Sequence, residues 1–215
     1  MAKTALSDSI QDYLKSIYNL GSGGDRVAVT ELARRQSVSP ASASAMVKKL
    51  AALSLVEHVP YRGVTLTPAG ERIALEVIRH HRLLELYLAE TLGLGIDAVH
   101  AEADRLEHVL SEELEARIDR ALGFPTHDPH GDPIPNADLE LAASDLRALS
   151  DLEPGEKGLV RRIPDGDPVR LRHLSRLGLV PGRRVELRRA KPLTVIVDGA
   201  EHVIAAELAA QIGVS

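Results

Sequence analysis

The fold is decided by residues 30–66, which read TELARRQSVSPASASAMVKKLAALSLVEHVPYRGVTL. Two helical patterns lie on either side of a three-residue turn, Ser37-Val38-Ser39. Thr30 is expected to cap the first helix, and Ser39 the second. Pro40 then takes the first helical position, where its missing N–H has no partner to lose. Two short helices joined by such a turn predict a helix-turn-helix.

The segments on either side complete a winged helix. The second helix is expected to run from Pro40 to about Leu53, with Met46, Leu50 and Leu53 facing inward. Leu55–Val59 and Val64–Thr67 then alternate in polarity on either side of a four-residue turn, which predicts a β-hairpin, the wing. Upstream, a first helix is predicted from an apolar stripe at helical spacing: Ile10, Leu14 and Ile17.

The outer face of the second helix favours contact with DNA. Small side chains over Ala41–Ala45 allow a helix to lie deep in a major groove. Lys48, and Arg62 in the wing, are residue types that contact phosphate. A packed helical pair without a ligand accounts for the pattern about as well. The predicted DNA-contacting residues are Ser39, Pro40, Ser42, Ser44, Lys48 and Arg62.

Composition and charge exclude several classes of protein. The 215 residues include no cysteine, which excludes disulfides, thiolate metal sites and cysteine catalysis. No apolar run is long enough for a transmembrane helix, and the first residues lack an apolar signal core, so a cytoplasmic location is expected. The net charge of −5 is uneven: residues 1–65 carry +3, residues 66–140 carry −10 and residues 141–215 carry +2. The basic first segment therefore remains a candidate for DNA binding.

Histidines and carboxylates recur at helical spacing in the acidic middle of the chain. A helix expected from Thr67-Pro68 to about Leu92 carries His81 and Glu85 four residues apart. The next helix, expected over Asp97–Leu122, carries a second group at intervals of three and four: His100, Asp104, Glu107 and His108. Nitrogen and oxygen donors on two helices suit a divalent metal ion. A solvated acidic helix with incidental histidines is about equally compatible with the spacing.

The rest of the chain predicts an interface, a connector and a small barrel. Leu106, Leu110, Leu114 and Ile118 are expected to form one apolar stripe for a two-fold dimer interface. Residues 123–138 are rich in proline and predict a non-helical connector, in which His127 and His130 are interpreted as exposed. Leu139–Leu149 has weak helical character. The short β-like runs that follow, Gly158–Ile163, Arg183–Arg189 and Leu193–Val197, suggest a barrel.

Several of these motifs together resemble the diphtheria-toxin-repressor family of metal-dependent transcription regulators, which includes the manganese transport regulators. The resemblance rests on Asp12-Tyr13-Leu14, Ser39-Pro40, His81–Glu85, Val99–His108, Pro129–Pro135 and Leu174–Gly182, in the family's order. The last of these is similar to the SH3-like domain shared with ferrous-transport accessory proteins. The resemblance implies a mainly α fold with a small β part: a winged helix over 1–70, a helical metal-binding and dimerisation domain over 71–140 and an SH3-like β-barrel over 150–215.

The resemblance also implies the metal ligands. One site falls on Asp12, Asp104, Glu107 and His108, and an ancillary site on His81, Glu85 and His100. Lys15 stands where a manganese-type relative has a ligand carboxylate, which argues against a second ion bound in that manner. In the SH3-like domain the ligand positions fall on Arg162 and Asp165. The arginine side chain cannot coordinate a metal ion, whereas the aspartate carboxylate can.

The sequence therefore predicts a homodimeric, metal-dependent transcriptional repressor that binds double-stranded operator DNA and is not an enzyme. Oxygen donors at positions 12 and 104 favour Mn²⁺ as the cofactor, with Fe²⁺ as the alternative. Two other classes stay open. A metallohydrolase would use the same donors but would leave the helix-turn-helix unexplained. A metal-transport accessory protein is favoured by the last sixty or so residues alone.

Overall fold

The computed structural model describes residues 6–21 and 25–215, and these divide into two compact units. One unit is the chain up to His80 together with Ala137–Glu140, and the other is His81–Asn136 together with Leu141–Ser215. Each unit is built around its own apolar core. No helix in the described part of the chain is both long and apolar enough to cross a membrane.

The first unit is a winged helix. Its elements are α1 (Asp8–Leu20), α2 (Val29–Arg35), α3 (Pro40–Ala52), β1 (Val56–Val59), β2 (Gly63–Leu66) and the first part of α4 (Pro68–Glu90). The Ser39 side chain caps α3 by accepting a hydrogen bond from the Ser42 N–H at 3.1 Å, as predicted. Strands β1 and β2 pair antiparallel, with Val56 opposite Leu66. The wing is therefore a hairpin of four residue pairs.

Three local predictions in this unit are wrong. Helix α2 begins at Val29, so Thr30 lies within the helix and does not cap it. Leu53 follows the end of α3 and is 46% exposed, whereas Val47 takes the buried position. Ala43, expected on the outer face of α3, is fully buried because it packs in the core of the winged helix. Residues 22–24, between α1 and α2, lie outside the described residues.

The helical part of the second unit consists of the remainder of α4, α5 (Val99–Leu106) and α6 (Glu112–Ala121). The prediction of one helix over Asp97–Leu122 is wrong, since α5 ends at Leu106. The Ser111 side chain then caps a new helix by accepting from the Leu114 N–H at 3.3 Å. The expected apolar stripe is divided by this break: Leu106 and Leu114 are exposed, but Ile118 is buried in the unit's own core.

The rest of the second unit is a six-stranded antiparallel sheet in the order β3-β8-β4-β5-β6-β7, with two short helices. Its elements are β3 (Arg147–Ala148), a 3₁₀ turn (Leu149–Asp151), β4 (Lys157–Arg162), α7 (Pro168–Arg176), β5 (Arg184–Ala190), β6 (Leu193–Val197), β7 (Ala200–Val203), α8 (Ala206–Ala209) and β8 (Gly213–Val214). The weak helix expected over Leu139–Leu149 is wrong, because this segment is irregular and ends in β3. Helices α7 and α8 and strands β7 and β8 were not predicted.

The proline-rich connector packs against β4. The Ile163 N–H donates to the His130 carbonyl at 2.9 Å. Gly131 has φ +89°, and a Cβ at this position would lie 1.7 Å from the Arg161 carbonyl oxygen. Only glycine allows both the left-handed backbone and this close approach. The connector is thereby fixed beside the helices that carry the histidines.

Candidate metal centre

His81 lies at the centre of a cluster of ionisable side chains within the second unit. It is buried on α4, and its two ring nitrogens face different partners. Nε2 lies 3.0 Å from Glu85 Oε1 and 3.0 Å from His100 Nδ1. Nδ1 lies 2.5 Å from Glu107 Oε2 and 3.3 Å from Asp104 Oδ1. We call these five residues the His81 cluster: His81, Glu85, His100, Asp104 and Glu107.

Helical spacing places most of this cluster. Glu85 is one turn beyond His81 on α4, and Asp104 is one turn beyond His100 on α5. Glu107 follows the last residue of α5 and is 1% exposed, so its carboxylate turns inward. His108 was expected on the helical face of His100, but it follows the end of α5, with Nε2 3.6 Å from Glu107 Oε1. The structure thus brings together two α4 residues and three from α5 and the turn after it.

Asp165, the predicted donor from the SH3-like domain, reaches the same cluster. Its carboxylate lies within 4.8 Å of ligand atoms of both Glu85 and His100. Arg162 instead lies on β4 with Nη1 3.9 Å from Asp132 Oδ1. Glu102, on the same helix as His100, pairs with Arg105 at 2.5 Å.

Asp12, the remaining predicted metal ligand, lies on α1 in the first unit. It is half-buried, and its backbone carbonyl accepts from Gln36 Nε2 at 3.2 Å. Its assignment as a ligand therefore stays a prediction from the family resemblance.

A second group of buried side chains adjoins Glu85 and was missed by the sequence analysis. His130, interpreted there as an exposed linker residue, is fully buried, and Asp128 is 6% exposed; His127 is exposed as expected. Glu85, Asp128 and His130 each place one ligand atom within 4.8 Å of the other two. We call these three residues the connector cluster. A signal was present in the sequence: an aspartate two residues before a His-Gly pair indicates an ordered Asx turn.

Burial and charge perturb the ionisation of both groups. Burial acts to raise the pKa of Glu85, but the interactions of its carboxylate with His100, His130 and His81 outweigh it and hold this pKa well below its usual value. Burial, the Glu85 charge and the Asp132 charge raise the pKa of Asp128 to about 8. Burial lowers the pKa of His130, yet Glu85 and Asp128 outweigh it and raise this pKa to about 9. Such perturbation at a compact group of side chains is typical of functional sites.

The donor set of the His81 cluster fits a divalent metal ion. It combines two imidazoles with three carboxylates, and no sulfur ligand is present to favour a soft ion. Glu85 and Glu107 are both buried, with exposed fractions of 0% and 1%. Two buried carboxylates beside the exposed Asp104 are costly unless they are protonated, paired or bound to a cation. The arrangement is therefore suited to Mn²⁺ or Fe²⁺ binding.

The predicted DNA-contacting residues lie together on the winged helix. Ser42 and Lys48 are exposed on α3, where Ser44 is half-buried. The Ser39 and Ser42 hydroxyls are 2.9 Å apart at the start of α3, which Pro40 opens. Arg62 is exposed in the wing turn beside Tyr61, which projects fully into solvent. A helix start and a wing tip are thus both accessible to a partner.

Family models cover most of the chain. Residues 5–64 match the model of the iron dependent repressor N-terminal DNA binding domain. Residues 67–136 match the iron dependent repressor metal binding and dimerisation domain, and residues 147–215 match the FeoA domain.

Individual relatives agree with this division. The iron-dependent repressor IdeR of Mycobacterium leprae is 33% identical over 92% of both chains. The diphtheria toxin repressor of Corynebacterium glutamicum is 32% identical over 92% of this chain and 91% of its own. The solved structure of a manganese-dependent transcriptional repressor in complex with manganese superposes with a TM-score of 0.87 at 42% identity, covering 95% of this chain and 98% of that one. The manganese regulator SloR superposes with a TM-score of 0.79 at 30% identity, covering 96% and 97%.

Proposed function

The chain belongs to the iron-dependent repressor family. We propose that it is switched by metal at two neighbouring sites, one at Asp12, Asp104, Glu107 and His108, and an ancillary one at His81, Glu85, His100 and Asp165. The protein is a metal-dependent DNA-binding transcriptional repressor of metal homeostasis, and it is not an enzyme. It dimerises and binds double-stranded operator DNA. Mn²⁺ and Fe²⁺ both suit it as cofactors. We propose the cytoplasm as its location, because its partner is DNA.

The position of His81 is the observation that carries the metal-site proposal. Its ring nitrogens face carboxylates from two separate stretches of chain, Glu85 on α4 and Glu107 after α5. A bound divalent ion supplies the positive charge that the buried carboxylates of Glu85 and Glu107 require. The three carboxylates closest to His81 repel one another without it, which favours a looser arrangement of α5 relative to α4. Asp12 is assigned as a ligand from the family resemblance alone.

We propose three functional domains: a winged helix over 1–70, a metal-binding and dimerisation domain over 71–140, and an SH3-like domain over 150–215. The matches to separate family models over 5–64, 67–136 and 147–215 support these boundaries. We propose that the dimer buries exposed apolar side chains around the α5–α6 turn: Leu106, Val109 and Leu114. In such a dimer the recognition helices α3 enter successive major grooves about 34 Å apart.

The DNA affinity of the full chain should depend on the metal ion. We expect saturating Mn²⁺ to raise its affinity for operator DNA by about 5–150-fold, the usual range of coupling between two ligands. Fluorescence anisotropy of labelled DNA, titrated in parallel with Mn²⁺, Fe²⁺, Co²⁺ and Zn²⁺, measures the effect, and a chelator should reverse it. If the chain binds no DNA in the presence of any of these metal ions, the result would instead favour a metal-transport accessory protein.

Lys48 should act on DNA through phosphate. It is exposed on α3, and its replacement by alanine removes one cation without disturbing the core. Lys48→Ala should therefore weaken binding about equally for all DNA sequences and lower the salt-dependence slope by about one per subunit. Lys157→Ala, which removes a similarly exposed lysine from β4, is the control and should leave the slope unchanged. If the salt-dependence slope of Lys48→Ala equals that of the parent, Lys48 does not contact DNA and the DNA-binding surface lies elsewhere.

A further inference from the structure

We propose that the connector cluster is an additional divalent-cation site, formed by Glu85 Oε2, Asp128 Oδ2 and His130 Nδ1. These three atoms are the buried side-chain nitrogen and oxygen atoms that lack a hydrogen-bond partner within residues 6–21 and 25–215. All three belong to one group, in which the ligand atoms lie within 4.8 Å of one another. The proposal concerns metal binding only and does not depend on DNA recognition.

The tautomer of His130 supports a ligand at its other nitrogen. Nε2 lies 3.0 Å from the Ile96 carbonyl oxygen, which can only accept, so Nε2 must carry a proton. In the neutral ring, Nδ1 then presents a lone pair to two carboxylates. Metal-bound histidines commonly donate their second ring N–H to a carbonyl in this manner, because it fixes the ring orientation. His130 is thus oriented as a ligand would be.

The connector backbone orients Asp128 in a similar way. Its Oδ1 accepts from the His130 N–H at 2.8 Å and from the Asp132 N–H at 2.9 Å. These two bonds occupy one carboxylate oxygen and direct the other, Oδ2, into the cluster. Arg82 Nε lies 3.8 Å from Oδ2, which is too far for a hydrogen bond.

Glu85 presents its two oxygens to two different groups. Oε1 lies 3.0 Å from His81 Nε2 and 2.9 Å from His100 Nδ1, within the His81 cluster. Oε2 faces the connector, 3.6 Å from His130 Nδ1. That separation is too long for a hydrogen bond, but it suits two ligands of one ion: bonds of about 2.1 Å would subtend an angle of roughly 120°.

The chemistry of the group indicates which cations fit. Two carboxylates and one imidazole suit Mn²⁺, Fe²⁺ or Zn²⁺. An ion held there would join the connector to α4, and through the His130 carbonyl it would also fix the contact with Ile163. The competing occupants are a proton on His130 and a buried water molecule.

Two near-isosteric variants of the full chain test the proposal. Asp128→Asn keeps an Oδ1 acceptor for the two backbone N–H groups but replaces Oδ2 with an amide nitrogen. His130→Gln can retain a donor to the Ile96 carbonyl while removing Nδ1. Equilibrium dialysis against saturating Mn²⁺, with the metal counted by mass spectrometry, should show one ion fewer per chain in each variant. Asp132→Asn removes a nearby carboxylate outside the cluster and should retain the parental count.

If both variants fold and bind as many Mn²⁺ ions per chain as the parent, the proposal is overturned. A proton or a water molecule would then be the occupant. Because a buried substitution can prevent folding, a second measurement uses the unaltered chain. Crystals grown with Mn²⁺ should give an anomalous difference peak between Glu85, Asp128 and His130. Absence of that peak, in a map that shows Mn²⁺ at the His81 cluster, would equally overturn it.

Discussion

Glu107→Gln should abolish the metal-dependent rise in DNA affinity, leaving less than about a twofold effect from a coupling of about 5–150-fold. Glu107 is 1% exposed, and its Oε2 lies 2.5 Å from His81 Nδ1. Glutamine preserves the shape of the side chain but removes the negative charge and one oxygen donor. The metal site would then lose a ligand while the surrounding packing is retained.

The measurement is DNA affinity as a function of Mn²⁺ concentration, with sedimentation as a check that the dimer persists. Glu102→Gln is the matched control, since Glu102 lies on α5 and pairs with Arg105 at 2.5 Å outside the cluster. It should behave as the parent. If the affinity of Glu107→Gln for DNA rises with Mn²⁺ as in the parent, the assignment of Glu107 as a ligand is wrong.

Gly131→Ala should be the most destabilising single-methyl change in the second unit, at about 3 kcal/mol or more. The added Cβ would lie 1.7 Å from the Arg161 carbonyl oxygen and 3.0 Å from the Arg162 Cα. Both are backbone atoms of β4, so no flexible side chain can move aside. The left-handed backbone at φ +89° adds a strain of about 1–2 kcal/mol.

Gly123→Ala separates these two causes. Gly123 has φ +74°, but a Cβ there would have no neighbour within 4 Å, so this variant carries the backbone strain alone. Thermal unfolding should show a fall in Tm of roughly 10 °C for Gly131→Ala and a smaller fall, roughly 2–8 °C, for Gly123→Ala. Equal shifts would mean that the contact between the connector and β4 contributes little to stability.

The winged helix could be predicted from the sequence because its signals are local. Ser39 and Pro40 specify the start of α3 through a side-chain cap and a fixed φ, whatever the rest of the chain does. The break between α5 and α6 was equally local but was missed. Ser111 followed by acidic residues is a helix start, and the continuing apolar spacing concealed it.

The pairing of ligands within a helix also followed from the sequence. Spacings of four fix His81 beside Glu85 and His100 beside Asp104 once the segments are helical. The approach of α5 to α4 does not follow from spacing, and neither does the inward turn of Glu107 after the end of α5. Spacing also placed Glu107 beside Asp104, whereas Asp165 was selected by the family resemblance alone.

Local sequence therefore specifies the elements and donors whose geometry is set within one or two helical turns. The environment of His130 depends instead on contacts between distant parts of the chain. Its Nε2 partner is the carbonyl of Ile96, 34 residues away, and its neighbour Gly131 packs on β4. A proline-rich segment has the same local pattern whether it lies in solvent or is buried. Whether such a segment is buried depends on which distant backbone approaches it. Because the Ile96 carbonyl and β4 approach this segment, His130 is buried in a ligand-like cluster and is not an exposed linker residue.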